Sequence, residues 1–193
     1  MVVVKLSRIV DGLGGSILDD WFFYLDRNTG ESMELQCNII ELLDIFKDIL
    51  QEEGMTVESA RDKILEDEDC YYHGDLSIED ELDIAIRLLG HELLLIDPLT
   101  SHAKYIWMEE YIDTLSDERD QQLLSIAIDG KGAFRRFKDV ADTLGKLQDY
   151  FHFKDKRLFE AARKWCEDNA VEYHDDWEIV EKLRYLDKGF IPA

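Results

Sequence analysis

The stretch Trp21-Phe22-Phe23-Tyr24-Leu25-Asp26-Arg27-Asn28-Thr29-Gly30-Glu31 sets the fold class. Five large apolar residues, four of them aromatic, favour an extended pleated chain over a helix. Asp26 to Gly30 then supply turn chemistry, since Asp and Asn bond their own backbone and Gly accepts a positive φ. Glu31–Leu35 reads as the returning strand, which makes a β-hairpin. The same Asp26, Asn28 and Gly30 do not make a calcium loop, because that loop needs further carboxylates at fixed spacing and a later Glu.

Upstream, Lys5–Leu13 reads as a short helix with Ser7 as its N-cap and Ile9, Val10 and Leu13 on one face. Downstream, Asn38–Gln51 carries a stripe of Ile39, Leu42, Leu43, Phe46, Ile49 and Leu50, and Gly54 ends it. Thr56 or Ser59 opens a helix through Leu65. Ser77, followed by Glu79, Asp80 and Glu81, opens another through Leu89. Leu93–Ile96 reads as a strand that Asp97-Pro98 ends.

From about Ser101 the chain reads as helices only. Tyr105, Met108, Ile112 and Leu115 form one stripe. Ser116 is expected to cap the next helix, whose inner face is Leu123, Leu124 and Ala127. Gly130-Lys131-Gly132 breaks it. Ala133, Phe134, Phe137, Val140, Ala141 and Leu144 form the following stripe, and Gly145 ends that helix. Leu147–Asn169 is one long helix or two joined near Lys154, and a last helix covers Asp176–Leu186. The expected fold is α+β and mostly helical, with a small antiparallel N-terminal sheet packed on a C-terminal helical bundle. Residues 1–100 form an acidic α+β part with a helical insert and residues 101–193 a helical part, together one globular unit.

Composition narrows the function classes. The chain has 193 residues, 46% hydrophobic, with 44 acidic against 22 basic side chains and a net charge of −22. That is enough apolar material for a real core. The charge disfavours non-specific attraction to nucleic acid or to an anionic membrane, so nucleic acid is not an expected partner without a local basic patch. No apolar run approaches the ~20 residues of a membrane span, and the N-terminus does not read as a signal peptide. Cys37, Cys70 and Cys166 are odd in number and widely spaced, which speaks against a disulfide framework or a zinc knuckle and for a reducing cytoplasm. The charge is uneven: residues 1–100 hold 24 acidic and 7 basic side chains, residues 101–193 hold 20 and 15.

Two clusters are candidate sites. Lys131, Arg135, Arg136 and Lys138 form the dense basic cluster, just after two glycines and at a helix start. There a helix N-terminus and cations together suit an anion or a partner protein. A tight turn between helices, with arginines paired to nearby carboxylates, explains the same residues structurally. The acidic tract Glu66, Asp67, Glu68 and Asp69, continued by Asp75, Glu79, Asp80, Glu81 and Asp83, suits a basic partner protein or a solvated face. Contiguous carboxylates in a loop are not preorganised for a metal, and no cofactor is expected. His73, His91, His102, His152 and His174 are scattered, Cys166 reads as a core thiol, and no catalytic residue is assigned.

Gly130-Lys131-Gly132-Ala133-Phe134-Arg135-Arg136-Phe137-Lys138-Asp139 resembles the signature of an uncharacterised bacterial protein family. Met108–Leu115, Ala161–Asn169 and Trp21–Glu31 resemble other parts of the same family, whereas residues 38–92 match no pattern of it. The resemblance implies a small cytoplasmic bacterial protein and no particular activity. The function expected is a non-catalytic binding or regulatory module whose acidic half contacts a basic protein. The alternative is a phosphate-ligand or nucleic-acid binder that uses residues 131–138.

Overall fold

The computed structural model describes residues 2–15, 21–36, 38–52, 54–66 and 76–190. It is a mostly helical α+β structure that divides into two compact units. The first comprises residues 1–4 and 16–97, and the second residues 5–15 and 98–193. The chain leaves the first unit within the two-residue strand β1 (Val4–Lys5), and α1 (Leu6–Gly14) belongs to the second.

The first unit is built on the hairpin. Strands β2 (Trp21–Asp26) and β3 (Ser32–Gln36) pair antiparallel with Tyr24 opposite Met33. Strand β4 (Leu93–Ile96) adds to the other side of β2, also antiparallel, with Tyr24 opposite Leu95. The central strand is therefore the aromatic one, where β-propensity and burial agree. Helices α2 (Asn38–Glu52), α3 (Val57–Glu66) and α4 (Ile78–Leu89) complete the unit. Tyr24, Leu35 and Leu93 of the sheet share a buried cluster with Ile39 of α2, and Ile84 and Leu88 of α4 pack on it. A second cluster, Leu42, Phe46, Ala60, Ile64 and Leu82, joins the three helices. The segment between hairpin and β4 is thus part of the sheet's own core. Capping follows the side-chain oxygens: Thr56 accepts from the Ser59 amide and Ser77 from the Asp80 amide.

The second unit contains α1, α5 (Ser101–Thr114), α6 (Glu118–Ile128), α7 (Ala133–Thr143), α8 (Leu147–Asp168), the two-residue strand β5 (Tyr173–His174) and α9 (Trp177–Arg184). The sequence pattern showed no strand in this half. Helix α8 is continuous across Lys154. The core joins Met108, Tyr111 and Ile112 to Leu124, Ile128, Phe137, Ala141 and Tyr150. Phe137 and Tyr150 meet edge to face at 4.6 Å, and Tyr111 packs against both.

Three local expectations are corrected. Ser7 does not cap α1; its amide and hydroxyl both donate to the Asp176 carboxylate, at 3.0 and 2.6 Å. The cap of α6 is Asp117, not Ser116, because its carboxylate accepts from the amides of Arg119 and Asp120. Phe134 and Leu123 are each 38% exposed rather than buried, whereas their neighbours Phe137 and Leu124 turn inward with Ala127, Ala133 and Ala141. No helix among the described residues is long and apolar enough to cross a membrane.

Candidate functional site

The basic cluster begins at a turn that only glycine makes without strain. Gly130 and Gly132 have φ of +75° and +82°, and Gly132 is the residue from which α7 starts. This turn leaves the last carbonyls of α6 open to a donor. Arg136, one turn into α7, reaches back to them: its Nε donates to the Ala127 carbonyl at 3.0 Å, and its two terminal nitrogens donate to the carbonyls of Asp129 and Lys131. The fork of a guanidinium fits such a set of oxygens, and its charge opposes the negative end of α6.

The four predicted cations therefore separate. Arg136 is occupied by the turn. Arg135 is on the outer face of α7, its side chain 90% exposed, with Asp139 at 3.8 Å one turn on. Lys131 and Lys138 are exposed and make no ion pair among the described residues. Three cations, with the partly exposed ring of Phe134 one helical turn before Lys138, are what the cluster offers a partner.

Of the acidic tract, Glu66 ends α3 and is exposed. Asp67, Glu68, Asp69 and Asp75 lie outside the described residues, as do Cys37, Cys70 and His73. Glu79, Asp80 and Asp83 are exposed on α4, Asp83 accepting from Arg61 Nε at 3.3 Å. Glu81 is 4% exposed and is not part of that face. Glu58 and Asp62 are exposed on α3, which packs beside α4. The carboxylates of α3 and α4 thus outnumber the cations on the same two helices.

A buried polar cluster that the sequence pattern did not show ties α9 to α8. His152 Nε2 lies 2.5 Å from Glu181 Oε1, and its ring contacts those of Trp177, Tyr185 and Phe190. Asp155 Oδ2 accepts from Arg184 at 2.9 Å and from the Tyr185 hydroxyl at 2.7 Å. Burial, reinforced by this bond to a carboxylate, pushes the Tyr185 hydroxyl well above the ordinary phenol range. Burial likewise raises the Asp11 carboxyl, with Arg184 opposing and Asp176 adding to the rise. These partners are long-range in sequence, so no local spacing announces them. His152 Nε2 is engaged by Glu181, and the Ser7 hydroxyl donates to Asp176. Cys166 is fully buried, and burial pushes its thiol up to about 11, which keeps it protonated and inert. No group of three or more His, Cys, Asp or Glu is placed to hold a metal among the described residues.

Comparison with known proteins is narrow. The chain is similar to a UPF0158 protein of Pseudomonas aeruginosa, a protein of an uncharacterised family. The two are 29% identical over 93 residues, which is 48% of this chain and 61% of that protein. The chain thus spans less than two thirds of that relative's length. No family model and no solved structure matches.

Proposed function

We propose that this protein is a non-catalytic binding module that contacts a basic protein through the acidic face of its first unit. The observation that supports the reading is the run of exposed carboxylates on α3 and α4, Glu58, Asp62, Glu66, Glu79 and Asp80, in the half of the chain that carries a net charge of −17. Such a face recruits cationic partners at long range and weakens as salt screens it. The reading includes the Glu66–Asp69 tract as contact residues, and a reducing bacterial cytoplasm as the setting. It also takes the 130–139 signature as a feature shared with the uncharacterised family.

The test is a pull-down with the full chain, at low and at raised salt. Beside it goes a variant neutralised at Glu66→Gln, Asp67→Asn, Glu68→Gln and Asp69→Asn. The expected result is a Lys/Arg-rich protein that the wild type retains, that salt releases and that the variant fails to hold. Recovery of nothing, or recovery unchanged by the variant, overturns the reading. A ligand lost instead with Arg135→Ala would transfer the function to the basic face of α7, where phosphate is the natural ligand.

A further inference from the structure

Helices α5 and α6 enclose an open groove of about 710 Å³ within the second unit. On α5 it is lined by Tyr105, Glu109, Ile112 and Asp113, which helical periodicity places on one face. On α6 it is lined by Gln122, Ser125, Ile126 and Ile128 and, just past the helix end, by Asp129. The Tyr105 hydroxyl donates to the Ile128 carbonyl at 3.2 Å and holds one end of the groove together. Ile112 is buried at the floor, whereas Ile126 is 65% exposed on the wall, with Leu123 exposed one turn earlier. Glu109, Asp113 and Asp129 are exposed and make no ion pair among the described residues.

An aliphatic centre rimmed by three carboxylates fits one kind of occupant. We infer that the groove takes a basic amphipathic segment of another protein, an aliphatic side chain packing on Ile126 and flanking Lys or Arg reaching Glu109, Asp113 and Asp129. Charge complementarity selects that occupant. A second copy of this chain carries −22 and is repelled at long range, and an acidic or purely apolar segment leaves the carboxylates uncompensated. A helix laid in a groove between two helices is an established mode of recognition, read by anchors one turn apart. The inference is independent of the α3–α4 face, which lies in the other unit and has its own variants.

The probe is a synthetic Leu/Lys peptide with leucines spaced one helical turn apart, compared with a scrambled peptide of the same composition. Binding to the full chain is followed by fluorescence anisotropy and by backbone amide shift mapping. The expected shifts cluster in α5 and α6, around Glu109, Asp113 and Ile126. Ile126→Ser is expected to weaken binding about tenfold, since an exposed anchor is lost without disturbing the core. Glu109→Gln with Asp113→Asn is expected to weaken it and to flatten its salt dependence. Neutralising Glu66–Asp69 is expected to leave both readouts unchanged. Shifts centred on α3 and α4, equal affinity for the scrambled peptide, or full affinity in Ile126→Ser would each overturn the inference. So would the absence of binding.

Discussion

Arg136 Nε donates to the Ala127 carbonyl at 3.0 Å, so a side chain read as a candidate anion contact is the clasp of the α6–α7 turn. Its other nitrogens take the carbonyls of Asp129 and Lys131. Arg136→Ala is expected to lower stability by about 1–2 kcal/mol, the usual worth of hydrogen bonds from a charged donor at a partly exposed site. Arg135→Ala is expected to change it by less than about 0.5 kcal/mol, as for most surface positions. Urea unfolding of the two variants against wild type separates these outcomes, and equal effects would refute the assignment.

Asp26 is expected to make the first unit sensitive to acid. It is 5% exposed, accepts from Arg87 Nη2 at 2.7 Å and accepts from the amides of Asn28 and Thr29. Burial raises its pKa, but these donors outweigh burial and the carboxyl ends below its ordinary value of 3.8. A depressed folded-state pKa means that its contribution is fully present above the unfolded value and is lost as pH falls through the folded one. Asp26→Asn is expected to cost about 2 kcal/mol at neutral pH, because Arg87 loses the nearer and more buried of its two charged partners and keeps only Glu92, at 3.5 Å. The gap between variant and wild type should close below about pH 4 in thermal melts at stepped pH. A gap that stays constant would show that the charge is immaterial.

Phe137 is fully buried at the meeting point of α5, α7 and α8. Phe137→Ala is expected to cost about 3–5 kcal/mol through lost burial and a residual cavity. Phe134→Ala, three residues earlier, is expected to cost well under that. Denaturant midpoints of the two variants provide the measurement, and a reversed order would place the wrong ring in the core.

Cys166 is expected to resist thiol reagents. In a chain carrying Cys37→Ser and Cys70→Ser, labelling at pH 8 should be slow in the native state and complete in denaturant. Burial holds the thiol protonated until about pH 11. Rapid native labelling would mean that α8 opens readily.

Much of the secondary structure was legible because its causes are local. The aromatic run followed by Asp-Arg-Asn-Thr-Gly specified β2, the turn and β3, and Ser77 ahead of three acids specified the start of α4. Errors arose where two residues compete for one role. Ser116 and Asp117 both suit a cap, and the start of α6 chose the second. Phe134 and Phe137 are both aromatic and on the same general side, and only the position of α5 and α8 put one inside.

The candidate site divides along the same line. Charge belongs to the residues themselves, so the acidic first half and the basic cluster at 131–138 follow from the order of amino acids alone. So do the glycines that break the chain between α6 and α7. Whether a given charge faces a partner or the protein's own backbone depends on groups distant in sequence or across a turn. Arg136 meets carbonyls that exist only once α6 has ended beside it, and Asp176 meets Ser7, 169 residues away. The α5–α6 groove is of that kind as well. Its carboxylates lie 4 to 20 positions apart, and the packing of two helices makes them neighbours.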